Sequence, residues 1–391
     1  MTTQKPQAGA LRALVLTVFV SMTGFGVVIP IAPFFGLHVN ASATEITLAL
    51  GAYSLGQLIA APFWGRLSDR IGRRPVLIGT LLATGLSYAL LAQAETIIAI
   101  GLVRFAAGLA AGNIGAGFAA AADLSTAETR ARAMGVVGAG FGLGFIVGPV
   151  IGGLIAGADP DQADFARVCY VALGLALAAA LIVAVLLPET KPEHLAPRVK
   201  GATRALLARP VLAGLSLATL CGVTAQAVLE TSFGLWAHRV LAWGPPETGL
   251  NLGLIGLLAA LLQGAGAGYF ARRFGAARVL VTGYGVYAAG FVVLSFATTY
   301  GVAFAGAVLL GIGVGLIGPM MQTLISTAVD QDERGAALGL NQSASALGRV
   351  VGPLAGGPLF DSLGPSAPMA FCAVVCIAAL GLSWRATRLS H

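Results

Sequence analysis

A succession of apolar stretches, each about 20 residues long, constrains this chain more than any other feature, because an α-helix of that length crosses roughly 30 Å of hydrocarbon. The stretches fall at roughly 13–36, 47–67, 76–94, 96–122, 133–157, 166–187, 211–237, 248–270, 277–297, 300–328, 335–360 and 367–385. Of the 391 residues, 57% are hydrophobic and 10% charged. A water-soluble surface needs about a quarter of its residues charged. The expectation is an all-α polytopic membrane protein with twelve transmembrane helices. The 54 glycines suit helices packed in lipid, where small residues let backbones approach.

Segment 188–210 is the longest poor in apolar residues; it holds Lys191, Arg198, Lys200, Arg204 and Arg209 with Pro188, Pro192 and Pro197. It divides the chain into an N-terminal six-helix bundle (1–187), a cytoplasmic linker (188–210) and a C-terminal six-helix bundle (211–391). With the N-terminus placed in the cytoplasm, Lys5, Arg12, Arg66, Arg70, Arg73, Arg74, Arg130, Arg132, the linker cations, Arg272, Arg273, Arg278, Arg334, Arg385 and Arg388 all fall on the inner side. Outer connections hold only Arg167 and Arg239, while Arg104 and Arg349 lie within spans. The positive-inside rule then puts both termini in the cytoplasm. It also explains the net charge of +7, with attraction to anionic lipid as a secondary effect. Nucleic acid is excluded as a partner, since the cations form no single patch. Cys169, Cys221, Cys372 and Cys376 sit in apolar stretches and read as reduced, buried thiols. The first apolar run, preceded by Lys5 and Arg12, reads as a retained span rather than a cleaved signal.

The halves carry an internal repeat. Gly135, Gly144, Gly148, Pro149, Gly152 and Gly153 recur 204 residues later as Gly339, Gly348, Gly352, Pro353, Gly356 and Gly357. The connection at 65–74, GRLSDRIGRR, has a decayed counterpart in GYFARRFGAA at 268–277. Two parallel repeats in one membrane chain imply two pseudo-symmetric bundles with a cleft between them.

Segment 65–74 resembles the signature loop of the major facilitator superfamily. Gly135 through Gly153 resembles the fifth-span motif of that superfamily's drug:proton antiporters. The first half, from GFGVVIPIAP (24–33) onward, is similar to tetracycline- and multidrug-efflux members. The resemblance implies the facilitator fold, alternating access, proton antiport, and a multi-pass place in the bacterial cytoplasmic (inner) membrane. Small-molecule substrate, protons and membrane lipids are the expected partners. No cofactor or metal is expected, and the chain should function as a monomer.

In the 65–74 loop, Gly65 allows close helix approach, Gly72 can supply the reversal, and Asp69 can accept bonds from a basic residue or a helix amino end. The resemblance implies a cytoplasmic latch between the bundles, made when the protein opens outward, that includes Asp69, Arg70 and Arg73; an ordinary positive-inside loop would explain the arginines alone. In the fifth span, Gly140, Gly144, Gly148 and Gly152 form a side-chain-free stripe, and Pro149 can bend the helix. The stripe is expected at the seam between bundles, where it would serve gating, static packing or both.

Arg104 lies about eight residues into span 4, roughly 12 Å below its outer end. A charge at that depth is costly unless it faces a partner or a cavity, or reaches back to the interface. It matches the superfamily's fourth-span Arg-x-x-x-Gly, with Gly108 in place and Ala107 where a Gln is common. Glu230 is the one acidic residue well inside a span, at nearly the same depth. Burial would raise its proton affinity and a nearby arginine would lower it, so Glu230 with Arg104 forms the expected proton-coupling pair; a fixed helix-end network is the other reading. Tetracycline exporters usually carry a first-span Asp where this chain has Ser21. That departure bears against tetracycline–metal recognition and the familiar proton route. Asp123 reads as a loop-end or gating carboxylate and as the reserve proton site. Arg349 could hold an anionic substrate, repel protons or form a structural pair.

Phe25, Tyr53, Gln57, Asn113, Gln226, Gln263, Gln322, Asn341 and Arg349 are the expected cavity lining, although any polar one could instead bond between helices. Gln342 and Trp236 are further candidates, and Trp236 and Trp243 could instead mark the outer interface. The chain has neither a Gly-Lys-Ser/Thr phosphate loop nor an HExxH, so an enzyme or ATP-driven pump is not indicated. The leading expectation is a proton-coupled antiporter exporting small, largely apolar compounds or drugs, with antibiotic resistance as one consequence. The alternatives are proton-coupled or facilitative transport of a sugar or other small metabolite, and a scaffold or receptor on a transporter fold.

Overall fold

The computed structural model describes residues 4–126, 129–190, 202–330 and 332–388. Its first half runs α1 (Gln4–Val28), α2 (Ala32–His38), α3 (Ala43–Ile71), α4 (Arg73–Leu91), α5 (Ile97–Ala110), α6 (Asn113–Asp123), α7 (Arg130–Ala156) and α8 (Gln162–Leu186). After the short α9 (Ala202–Leu207) come α10 (Pro210–Leu241), α11 (Pro245–Leu261), α12 (Ala267–Phe274), α13 (Ala276–Ser295), α14 (Tyr300–Thr327), α15 (Arg334–Leu363) and α16 (Ala367–Arg388). Lys191, Arg198 and Lys200 of the expected linker lie outside the described residues.

Among the described residues, 11 segments are long and apolar enough to cross a membrane. The twelfth expected crossing is α15, 30 residues long, which is diluted by Arg334, Asn341, Gln342, Arg349 and Asp361. The protein is therefore an all-α, multi-pass membrane protein.

Three expected spans are not single helices: span 1 breaks at 29–31, between α1 and α2, where Pro30 stands. Span 4 breaks at Ala111 and Gly112, between α5 and α6. A break in hydrocarbon must have its freed backbone groups satisfied. Here the Trp64 indole donates to the Leu109 carbonyl at 2.6 Å, and its ring fills the space a Gly112 side chain would need. Span 8 holds a π-helical turn at Leu262–Gly266 between α11 and α12, in a run with Gly264 and Gly266. By contrast, α3, α7, α14 and α15 continue through Pro62, Pro149, Pro319, and Pro353 with Pro358.

The described chain forms two compact units. The first comprises Met1–Ala41, Ala52–Ala196 and Gly244–Gly253; the second comprises Ser42–Gly51, Pro197–Trp243 and Leu254–His391. In the first, α1 packs on α7 and α8, and α4 packs on α8, α5 and α6. Its core gathers Leu14, Leu77, Leu81, Ala120, Val137 and Val183. In the second, α10 packs on α15 and α16, and α13 packs on α16 and α14. Leu215, Leu280, Tyr284, Met320 and Ile325 form its core, where the Tyr284 hydroxyl donates to the Ala218 carbonyl at 2.9 Å. The pairings of one unit thus repeat those of the other, as the 204-residue offset requires.

Large apolar side chains also face outward: Ile98 and Leu102 on one turn of α5, Leu181 and Val185 on one turn of α8, and Val374 on α16. Such surfaces suit acyl chains and not water. Outside the spans, Asp161 caps α8 by accepting from the Asp164 N–H at 2.8 Å, which holds its carboxyl below the usual range. The four cysteines are free; Cys169, Cys372 and Cys376 are buried and Cys221 half-buried.

Candidate functional site

The 65–74 loop closes into a charged knot inside the first unit. Gly72 takes φ +106°, a left-handed backbone that lets α3 reverse into α4. Arg73 folds back and is only 6% exposed. Its Nη1 donates to Asp69 Oδ1 and to Ser68 Oγ, each at 2.7 Å, while its Nε donates to Asp123 Oδ2 at 2.9 Å. One guanidinium thereby ties the end of α3 to the end of α6. Glu189, just beyond α8, accepts from the Arg73 N–H at 2.7 Å and the Arg74 N–H at 3.4 Å, capping α4 with negative charge where its dipole favours it. Arg66 and Arg70 are exposed. The expected close approach at Gly65 is not found: nothing described lies within 4 Å of where its Cβ would stand.

The glycine stripe of α7 meets α1. A Cβ at Gly140 would stand 2.9 Å from the Val15 carbonyl oxygen, one at Gly144 2.9 Å from the Thr23 nitrogen, and one at Gly148 2.6 Å from Gly26 Cα. Gly152 is pressed on the Val27 backbone. This corrects the expectation of a seam between bundles, since both helices belong to one unit. The physical reason is that α1 offers bare backbone at Gly26 where α7 offers Gly148. The second copy behaves alike: a Cβ at Gly348 would stand 2.8 Å from the Leu220 carbonyl oxygen, one at Gly352 2.8 Å from the Thr224 carbonyl oxygen, and one at Gly356 2.6 Å from the Ser232 hydroxyl, all on α10. Just around each helix, Gly153 abuts Pro245 and Pro149 abuts Gly249 in the first unit, while Pro353 abuts Gly51 and Gly357 abuts Thr44 in the second. Asp361 completes this contact by accepting from the Ala43 N–H at 3.2 Å, the Thr44 N–H at 2.8 Å and the Thr44 hydroxyl at 2.6 Å. Gly135 faces open space.

Arg104 is placed by a glycine exchange between α3 and α5. Gly108 touches the Tyr53 backbone, and a Cβ at Gly56 would stand 2.8 Å from the Leu109 nitrogen, so the two helices meet backbone to backbone. Arg104 sits one turn before Gly108, 9% exposed, with its guanidinium carbon 5.0 Å from the Tyr53 ring centre and 5.8 Å from that of Phe25. Rather than reaching back to an interface, the cation stays against the rings. Phe25 and Tyr53 are 5.3 Å apart, and Phe145 and Phe141 of α7 continue the aromatic row at 6.4 Å steps.

Glu230 lies in the second unit, half-buried on α10, and accepts from Gln226 Nε2 at 2.9 Å. The Tyr287 hydroxyl of α13, buried without a partner, is within electrostatic reach of it. Arg104 and Glu230 thus have separate surroundings in separate units. Two cavity candidates bond between helices: Asn113 donates to Ser21 Oγ at 2.9 Å, and Asn341 accepts from Thr219 at 2.6 Å. Ser21 and Asn113 line a small pocket with Thr17, Leu77, Leu81 and Phe118. Gln57 and Arg349 are half-buried, Gln263 lies exposed in the π-helical turn, and Gln322 and Gln342 are exposed. Trp236 is fully buried against Phe233. Among the described residues no group of three or more His, Cys, Asp or Glu is gathered as a metal site needs.

The sequence matches the model of the Major Facilitator Superfamily over residues 14–266 and 215–390. The chain belongs to this superfamily. It is 33% identical to the class C tetracycline resistance protein of Escherichia coli over 364 residues, 88% of each chain. It is 27% identical to multidrug resistance protein 1 of Bacillus subtilis (strain 168), over 96% of each chain. The crystal structure of the human organic anion transporter MFSD10 (TETRAN) superposes with a TM-score of 0.72 at 23% identity, covering 97% of this chain and all of that one; at that identity it speaks for the fold. A facilitator-superfamily chain of this architecture is a secondary-active or facilitative transporter of small molecules, not an enzyme.

Two contributors to this facilitator's geometry escaped sequence reasoning. Glu189 caps α4 from 116 residues away, and only the acid following the sixth span hinted at it. Trp64 plugs the break in span 4, for which the Ala-Gly-Asn run at 111–113 was the available signal.

Proposed function

We propose that this transporter exports small, largely apolar compounds in exchange for protons, alternating access to its cavity between the two sides of a bacterial cytoplasmic membrane with both termini inside. The observation that carries the reading is the sequence likeness, over 88% of the chain, to a tetracycline resistance protein, together with full-length likeness to a multidrug resistance protein. In this reading Glu230 takes up and releases the proton, and the Asp69–Arg73–Asp123 knot steadies one of the two states. Ser21, in place of the first-span acid, speaks for substrates other than a tetracycline–metal complex.

The second reading is proton-coupled or facilitative transport of a sugar or other small metabolite. It draws on the half-buried polar side chains Gln57, Gln226 and Asn341, and on the likeness of fold to a transporter of organic anions. Proteoliposomes given fluorescent cations, neutral drugs and sugars, each with and without an imposed pH gradient, separate the two. Uphill movement of apolar probes only under the gradient supports export; sugar uptake without apolar-probe movement supports the second reading.

A further inference from the structure

Arg104 is the unusual charge of the first unit. It is 9% exposed, it lies within a membrane span, and its Nε is buried with no partner. Among the described residues it forms no ion pair: Asp69, Asp123 and Asp164, the paired acids of its unit, are engaged by Arg73 and Arg167. The side chains that act on it electrostatically are the phenols of Tyr88 and Tyr53 and the thiol of Cys169, none of them a carboxylate. A cation held this way in hydrocarbon is stabilised only in part by ring faces. The charge still lacks the anion that would complete it.

Its surroundings are shaped for more than a bare ion. Phe25 and Tyr53 stand half-buried beside the guanidinium, and Phe145 and Phe141 extend the aromatic row from Phe25. The backbone contact at Gly56 and Gly108 fixes α5 on α3 and holds Arg104 at this spot, so the site does not depend on a mobile side chain finding its place.

We propose that Arg104, walled by Phe25 and Tyr53, is the subsite for an acidic group on the transported molecule, which is therefore a flat apolar compound bearing one carboxylate or similar anion. The inference rests on the transport reading and names its substrate class. The guanidinium donates to the anion while the rings cover the apolar body, a division of labour common to small-molecule sites.

The test uses the purified full chain in nanodiscs of phosphatidylcholine alone, so that no lipid headgroup supplies negative charge. Binding of 1-naphthoate is compared with that of its neutral isostere 1-naphthylmethanol by calorimetry. Naphthoate should bind at least tenfold more tightly, Arg104→Gln should erase that preference, and Arg104→Lys should restore part of it. Tyr53→Leu should weaken both probes. Equal affinity for the two probes in the wild type, which needs no variant to fold, overturns the proposal, as does a preference that survives in Arg104→Gln. Displacement of naphthoate by added phosphatidylglycerol would assign the site to a lipid anion and overturn it too. Uphill transport of neutral probes by a protein with no naphthoate preference leaves the exporter reading standing and this one fallen. Naphthoate preference without gradient-driven transport does the reverse.

Discussion

Arg73 shows how much one side chain can organise. Its guanidinium spans Ser68, Asp69 and Asp123, and its own amide is held by Glu189, so three other segments of the first unit converge on one residue. The local part of this knot was legible in the sequence, because an acid four residues before an arginine with glycine between them has few uses. Glu189 was not legible, since a carboxylate distant in sequence reveals its partner only when the chain is folded. Asp69→Asn removes one charged acceptor and leaves Arg73 bonded to Asp123. The protein should therefore assemble and bind substrate normally, while turnover falls on the order of tenfold as the balance between states shifts. Initial transport rates at matched expression check this, and a near-wild-type rate would remove Asp69 from the gating role. Arg104 was legible as a costly charge, but its ring contacts were not, because they depend on which face of α3 meets α5.

At the scale of elements, glycine spacing announced close helix contact without naming the partner. The four-residue stripe of α7 fits α1 because Gly26 removes a side chain opposite Gly148, a pairing invisible in either stripe alone. Gly148→Leu should thus force α7 off α1, destabilising the first unit by more than about 3 kcal/mol, beyond ordinary overpacking, because backbone rather than a side chain blocks the way. Gly142→Leu, on the same helix with nothing within 4 Å, is the control and should unfold near the wild-type temperature. Equal thermal stability of the two variants in detergent would sink the assignment. Asp361 makes a second elemental prediction. Its carboxylate satisfies the first free amides of α3, as a capping residue does, although it comes from α15. Asp361→Ala should speed hydrogen exchange at Ala43 and Thr44 by roughly 2- to 30-fold, the usual range for a lost cap. Unchanged exchange there would show that the amides find another acceptor. The breaks in spans 4 and 8 lay beyond sequence reasoning for a related reason: Pro62, Pro149, Pro319, Pro353 and Pro358 sit in helices that continue, Pro30 marks the break in span 1, and the interruptions of spans 4 and 8 are supported by Trp64 and by a glycine-containing π-helical turn.

For the whole molecule, apolar segment length and the 204-residue offset carried the fold from sequence alone, because hydrocarbon admits so few backbone solutions. They could not assign each segment to a unit: Ser42–Gly51 joins the second unit and Gly244–Gly253 the first, an exchange written in contacts of Gly357 and Gly153 rather than in composition. Nor could they give the substrate, because a transport cavity is specified by a few side chains on many helices. The central claim is that proton entry through Glu230 drives export. Its most direct measurement is proton movement into proteoliposomes carrying a pH-sensitive dye, after addition of a fluorescent apolar probe that the purified chain transports. The account predicts probe-driven proton movement by the wild type and none by correctly folded Glu230→Gln, which should keep probe binding and downhill exchange. Probe transport by the wild type with no proton movement, or unchanged proton movement by Glu230→Gln, would contradict it.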